Sequence, residues 1–177
     1  MDLEERIDRL ESIEQIRQLV ARYALCVDTR DLEGLVGLFV DDVSVGRFGT
    51  GRAALAESFR QGLEPLGLTI LLVGTHVIDL VDTQHASGEV YCTGEIDRDG
   101  ELLRQAILYR DTYRRDDQTW HFVRRTHLLW YSAPMGVDPR HLPPADWPTG
   151  HVGRGTLPEA FPTYREFHGI EGSEKEI

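Results

Sequence analysis

The chain has 177 residues, 41% hydrophobic and 28% charged, the proportions of one globular domain with a sizeable core. A formal net charge of -11 argues against nucleic acid or anionic membrane as a partner, since both repel an acidic surface. No apolar run approaches the roughly 18 residues of a membrane span, and the chain does not start basic-then-apolar, so neither a span nor a secretion signal is expected.

Residues 3 to 28 repeat apolar side chains at helical spacing, from Leu3, Ile7 and Leu10 through Ile16, Leu19 and Val20 to Tyr23 and Val27. The spacing predicts one long helix with a single apolar stripe. Asp2, Glu4 and Glu5 suit its start, because anions are favoured at the positive end of the helix dipole. A second short helix is expected over Leu35, Val36, Leu38 and Phe39, with Asp31 placed to cap it. A short strand near Val43 to Phe48 precedes a third helix from Gly51 to Leu63.

The period then changes. Thr69 to Val81 is β-branched and apolar, and Ala86 to Ile96 alternates. Leu102 to Arg114 and Thr119 to Tyr131 follow, with turn residues Asp99-Gly100 and Asp116-Asp117-Gln118 between strands. Helices followed by an antiparallel meander predict an α+β fold with helices on one face of a curved sheet. Residues 1–132 read as the domain and 133–177, rich in proline, as an irregular extension covering a pocket mouth or a subunit interface.

Cys26 and Cys92 lack metal-ligand spacing and read as buried thiols of a reducing, cytoplasmic compartment. His141, His151 and His168 are irregularly spaced, so no metal site is expected. No phosphate loop, dinucleotide glycine motif or nucleophile elbow is present, and no cofactor is expected.

Chemistry points to residues 23 to 42. Asp28 lies where the first two helices meet, five residues after Tyr23. It is read either as a pocket acid or as a helix-end residue bonding backbone amides. Period-two alternation on the last strand puts His121, Arg125, His127 and Tyr131 on one face, and Phe122, Leu128 and Trp130 on the other. Either face could line a cavity. Tyr109, Asp111 and Tyr113 read as a sheet signature, structural rather than catalytic.

Two segments carry a family resemblance. The opening Leu-Glu-Glu-Arg-Ile continues through Ile-Glu-Gln-Ile-Arg-Gln-Leu-Val-Ala-Arg-Tyr-Ala-Leu-Cys-Val-Asp, ending at Asp28. The other runs from Tyr109-Arg-Asp-Thr-Tyr113 to Trp120-His-Phe-Val-Arg-Arg125. Over roughly residues 5 to 132 the chain resembles the NTF2-like superfamily, in its SnoaL-like branch of scytalone dehydratase, bile-acid 7α-dehydratase and lindane dehydrochlorinase.

The resemblance implies a cone-shaped α+β barrel and a cofactor-independent lyase or isomerase, working by proton abstraction from a hydrophobic cyclic small molecule. It assigns Asp28 to a carboxylate–histidine dyad, Tyr23 to substrate binding and Arg125 to developing negative charge. The family's strand histidine is replaced here by Leu71 and Leu72. The nearest alternative, His76, lies four residues past Leu72, on the same face of a regular strand but about 13 Å away. His76 and His127 are therefore the candidate bases, beside Asp28 and Arg125. Tyr23, Tyr109, Leu72 and Tyr131 are the candidate ligand contacts. A non-catalytic binder or assembly subunit of the same fold is the alternative. A homodimer or homotrimer is implied by the resemblance alone.

Overall fold

The computed structural model describes residues 2–170. Helix α1 spans Leu3–Thr29 and starts with a capping box, in which Asp2 accepts from the Glu5 amide and Glu5 from the Asp2 amide. Its buried stripe is Ser12, Ile16, Leu19, Val20, Ala24 and Val27. Leu3, Ile7 and Leu10, on the expected stripe, are exposed because at 3.6 residues per turn they fall on the side of the helix away from Ser12, Ile16 and Leu19. Helix α2 is Leu32–Gly37, its Asp31 cap accepting from the Gly34 amide at 2.8 Å. It ends before Phe39, which bridges to Phe122 instead. The strand expected near 43–48 is a 3-10 turn, Gly46–Phe48, because Gly46 and Gly49 adopt positive φ and leave only a bridge from Ser44 to Thr50. Helix α3 is Arg52–Leu63.

Four long strands follow, β1 Leu66–Leu80, β2 His85–Arg98, β3 Glu101–Asp116 and β4 Thr119–Pro134. Their order in the antiparallel sheet is their order in the chain, with β5, Gly153–Arg154, added at the β4 edge. Asp99-Gly100 and Asp117-Gln118 all take positive φ, as two-residue hairpin turns require. The helices pack on the concave face of the curved sheet. The core there joins α1 and α2 residues to Val90, Ile107, Tyr113, Trp120 and Phe122. A smaller cluster on the outer face sets Leu108 and Leu128 against Leu157 of the extension.

Bulges decide which side chains face inward. In β4 Tyr113 pairs with Phe122 but Thr112 with Arg124, leaving Val123 extra. Ala106 pairs with Tyr131 but Ile107 with Leu129, leaving Trp130 extra. Each extra residue reverses the alternation. Phe122, Arg125, His127, Leu129 and Ser132 thus share the concave face with their partners, while His121 and Tyr131 turn outward. This corrects the single-face grouping of His121, Arg125, His127 and Tyr131. A third bulge, between Val73 and His76 in β1, brings His76 onto the inner face with Leu71 and leaves Leu72 outside, 61% exposed.

Candidate active site

A cavity of about 190 Å³ opens between the C-terminal ends of α1 and α3 and the concave sheet. Tyr23 and Val27 come from α1, Phe59 and Leu63 from α3, Thr69 and Leu71 from β1 and Ile96 and Arg98 from β2. Leu103, Gln105, Ile107 and Tyr109 of β3 form one wall, with His127 of β4 beside it. Trp147 and His151 of the extension complete the wall.

The helix end is held in place by Arg30. It takes the left-handed conformation at the α1 C-cap (φ 60°), and its guanidinium donates to Val27 O, Gly67 O and Thr69 Oγ1. Asp28 adds a second tie. Its Oδ2 accepts from the Leu71 amide at 3.0 Å, and its other oxygen is buried without a partner among the described residues. No imidazole is hydrogen-bonded to it there; the carboxylate meets the backbone of Leu71, in the segment where the resemblance placed a dyad histidine.

Under the cavity floor lies a buried ionic cluster. Arg125 donates from Nε and Nη2 to both oxygens of Asp111, at 2.9 and 2.6 Å. Its guanidinium sits 4.3 Å from the ring centres of Tyr23 and Tyr109 and 4.5 Å from that of Phe122. The two side chains are 5% and 0% exposed, so this cation is neutralised and walled in rather than open to a ligand. Burial opposes the Arg125 charge, and the Asp111 carboxylate more than compensates, holding its pKa above the ordinary value. Tyr113 donates to Asp111 at 2.8 Å, and His76 Nε2 lies 3.3 Å from the Tyr113 hydroxyl. His76 thus ends a buried relay and does not line the cavity.

His127 does line it. Its ring packs on Tyr109 at 5.2 Å and on Trp147 at 4.5 Å, and its Nε2 is buried without a partner among the described residues. Burial, then the nearby Arg125 charge, lowers its pKa from 6.5 to about 4, so the ring is neutral at physiological pH. Burial likewise lowers His76 to about 4. Burial raises the Tyr23 and Tyr109 phenols, keeping both protonated and able to donate. The wall therefore offers a neutral proton acceptor beside two neutral donors.

Of the expected site residues, Tyr23, Tyr109, Arg125 and His127 converge at the cavity or its floor. Asp28 stands just behind the wall and His76 at the far end of the relay. Leu72 and Tyr131 lie instead in an outer-face groove with Tyr91 and Trp130, because the bulges reverse their strands. Cys92 is buried, whereas Cys26 is only half-buried. Gln105 was missed, although a polar residue between Leu103 and Ile107 on an inward-facing series was a readable signal. It is 3% exposed, its amide nitrogen reaches Ser132 Oγ at 3.3 Å, and its Oε1 has no partner among the described residues. Trp147 and His151 carried no periodic signal. Among the described residues, no group of three or more His, Cys, Asp or Glu is placed to hold a metal ion, and no helix is long and apolar enough to cross a membrane.

Comparison with known proteins agrees with this architecture. A hexachlorocyclohexane dehydrochlorinase, LinA type 3, from Novosphingobium barchaimii is similar at 23% identity and TM-score 0.64, over 75% of this chain and 96% of that one. An NTF2-like protein with a cystatin-like fold from Novosphingobium aromaticivorans is 28% identical, TM-score 0.59, over 72% and 87%. A type 2 LinA dehydrochlorinase is 24% identical, TM-score 0.64, over 75% and 95%. No curated protein is a significant match. The SnoaL-like domain profile matches residues 8–126, about two thirds of the sequence, and the chain belongs to that family, within the NTF2-like superfamily.

Proposed function

We propose that this chain is a cofactor-independent lyase or isomerase that binds a hydrophobic cyclic small molecule and removes a proton from it with His127. The observation that carries the reading is a neutral imidazole in the wall of an apolar cavity, its Nε2 without a partner among the described residues, next to two protonated phenols. In this reading Nε2 takes a proton from a carbon beside the ligand's carbonyl, and the C–H electron pair moves onto the carbonyl oxygen. Tyr23 or Tyr109 donates to that enolate oxygen. Expulsion of a leaving group from the next carbon completes an elimination; return of the proton at another carbon completes an isomerisation. Asp28 acts through position, holding the Leu71 segment of the wall, and Arg125 orients the two phenols from beneath.

One observation favours a second reading, a binder or assembly subunit. The Asp28 carboxylate is bonded to a backbone amide and not to an imidazole. A screen of cyclic hydroxy-ketones separates the two. Turnover lost by roughly 10²–10⁴-fold in His127→Ala, with ligand affinity kept, supports the enzyme. Wild type that binds members of the panel and turns over none supports the binder. Loss of turnover at unchanged affinity in Asp28→Asn would bring Asp28 into the chemistry. We also infer self-association through the bare outer face of β1 and β2, where Leu68, Leu72, Val77 and Tyr91 are exposed.

A further inference from the structure

The match to the family profile stops at residue 126, yet the cavity wall continues past it. Trp147 and His151 lie on a loop whose ends are fastened together. Pro144 bridges Arg154, Ala145 N donates to Arg154 O at 2.7 Å, and Arg154 N donates to Pro143 O at 2.9 Å. The loop base is fastened in turn to β4, by the Tyr131–Arg154 and Ser132–Gly153 pairs and by Gly155 N donating to Trp130 O at 2.8 Å. Within the loop Thr149 Oγ1 donates to Asp146, and Gly150 N to Asp146 O. At its tip the Trp147 ring lies 4.5 Å from the His127 ring, and the His151 ring meets Trp147 edge-on at 5.6 Å.

We propose that this loop restricts the cavity to a single-ring ligand, with Trp147 the residue that sets the limit. The inference rests on the reading of this cavity as the ligand site. Size supplies the argument. A cavity of about 150 Å³ takes benzene, so about 190 Å³ holds one substituted ring with space left, whereas a fused pair would need all of that space up to the Trp147 ring. Trp147 is the bulkiest side chain that the extension brings to the wall, and it covers the His127 ring. A second ring lying alongside His127 would have to displace it. Because the loop is tied at both ends, that displacement breaks its attachment rather than turning one side chain.

The test is equilibrium binding of phenol and 2-naphthol to the full chain by titration calorimetry, in wild type, Trp147→Phe and Trp147→Ala. Wild type should bind phenol and bind 2-naphthol at least about tenfold more weakly. Trp147→Ala should improve 2-naphthol by about tenfold while changing phenol by less than about threefold, and Trp147→Phe should keep the wild-type order. If the alanine variant does not fold, Trp147→Leu carries the same expectation. Wild type binding 2-naphthol as tightly as phenol overturns the proposal, as does a naphthol-to-phenol ratio unmoved by Trp147→Ala, or no binding of either ring. Because the readout is binding, a chain that holds phenol selectively and catalyses nothing upholds this inference while defeating the lyase reading. One that turns over two-ring substrates does the reverse.

Discussion

At the scale of single residues, the buried Asp111–Arg125 pair divides what the sequence shows from what it hides. Arg125 was singled out by the family resemblance of the segment that ends on it. Its partner was not, because Asp111 becomes its neighbour only through strand pairing. Asp111→Leu should cost about 3–5 kcal/mol by leaving a guanidinium buried and unpaired. Adding Arg125→Met should recover most of that loss, measured by urea denaturation. His127 gives a pH signature. Its pKa is depressed on folding, so between 6.5 and about 4 the unfolded chain holds a proton that the folded one lacks. Stability from this residue is complete above 6.5, falls as pH drops through that window and levels off below about 4. The difference is on the order of 3 kcal/mol. His127→Gln should make that acid limb shallower in unfolding midpoints taken at pH 7, 5.5 and 4.5, leaving the part that His76 contributes over the same window. If His127 is the base, kcat/KM should stay level near neutrality and drop as pH approaches 4.

Among the elements, α1, α3 and the four long strands were readable because each keeps one period for most of its length. The bulges were not. Nothing in the composition around Val123 or Trp130 marks the residue that drops out of register, so an unbroken alternation puts His121 and Tyr131 on the wrong face. The same holds for β1, where Gly74 and Thr75 absorb the extra residue and turn His76 inward. The extension lacks periodicity, so its role as a cavity wall appears only once β5 is seen on β4. Gly155 is the weak point of that attachment, since a Cβ there would fall 1.7 Å from Leu129 O. Gly155→Ala should therefore detach the segment after Pro143, destabilise the protein by about 1–3 kcal/mol and expose residues 143–157 to limited proteolysis. Wild-type resistance in that variant would argue against the clamp.

For the molecule as a whole, the outer face is unevenly covered. The extension lies over Leu108, Leu128 and Trp130, whereas Leu68, Leu72 and Val77 of β1 and Tyr91 of β2 stay bare. A patch of that kind is uncommon on a monomer. Sedimentation should show a concentration-dependent oligomer that Leu72→Lys shifts toward monomer; an unchanged monomeric mass in both would rule the surface out. The acidic composition argued against nucleic acid and anionic membrane as partners. The Asp28 motif drew attention to the C-terminal end of α1, beside which the cavity opens, but hid that the carboxylate is bonded to the Leu71 amide. The bulges, finally, should be audible in a rhythm that no single variant reveals. In a saturation library scored for folding, the inward positions of β4 should fall on even numbers up to Phe122, on odd numbers from Arg125 to Leu129, and on even numbers again from Ser132. Intolerance to charge should change step at those two places, as a melody does when a bar gains one beat.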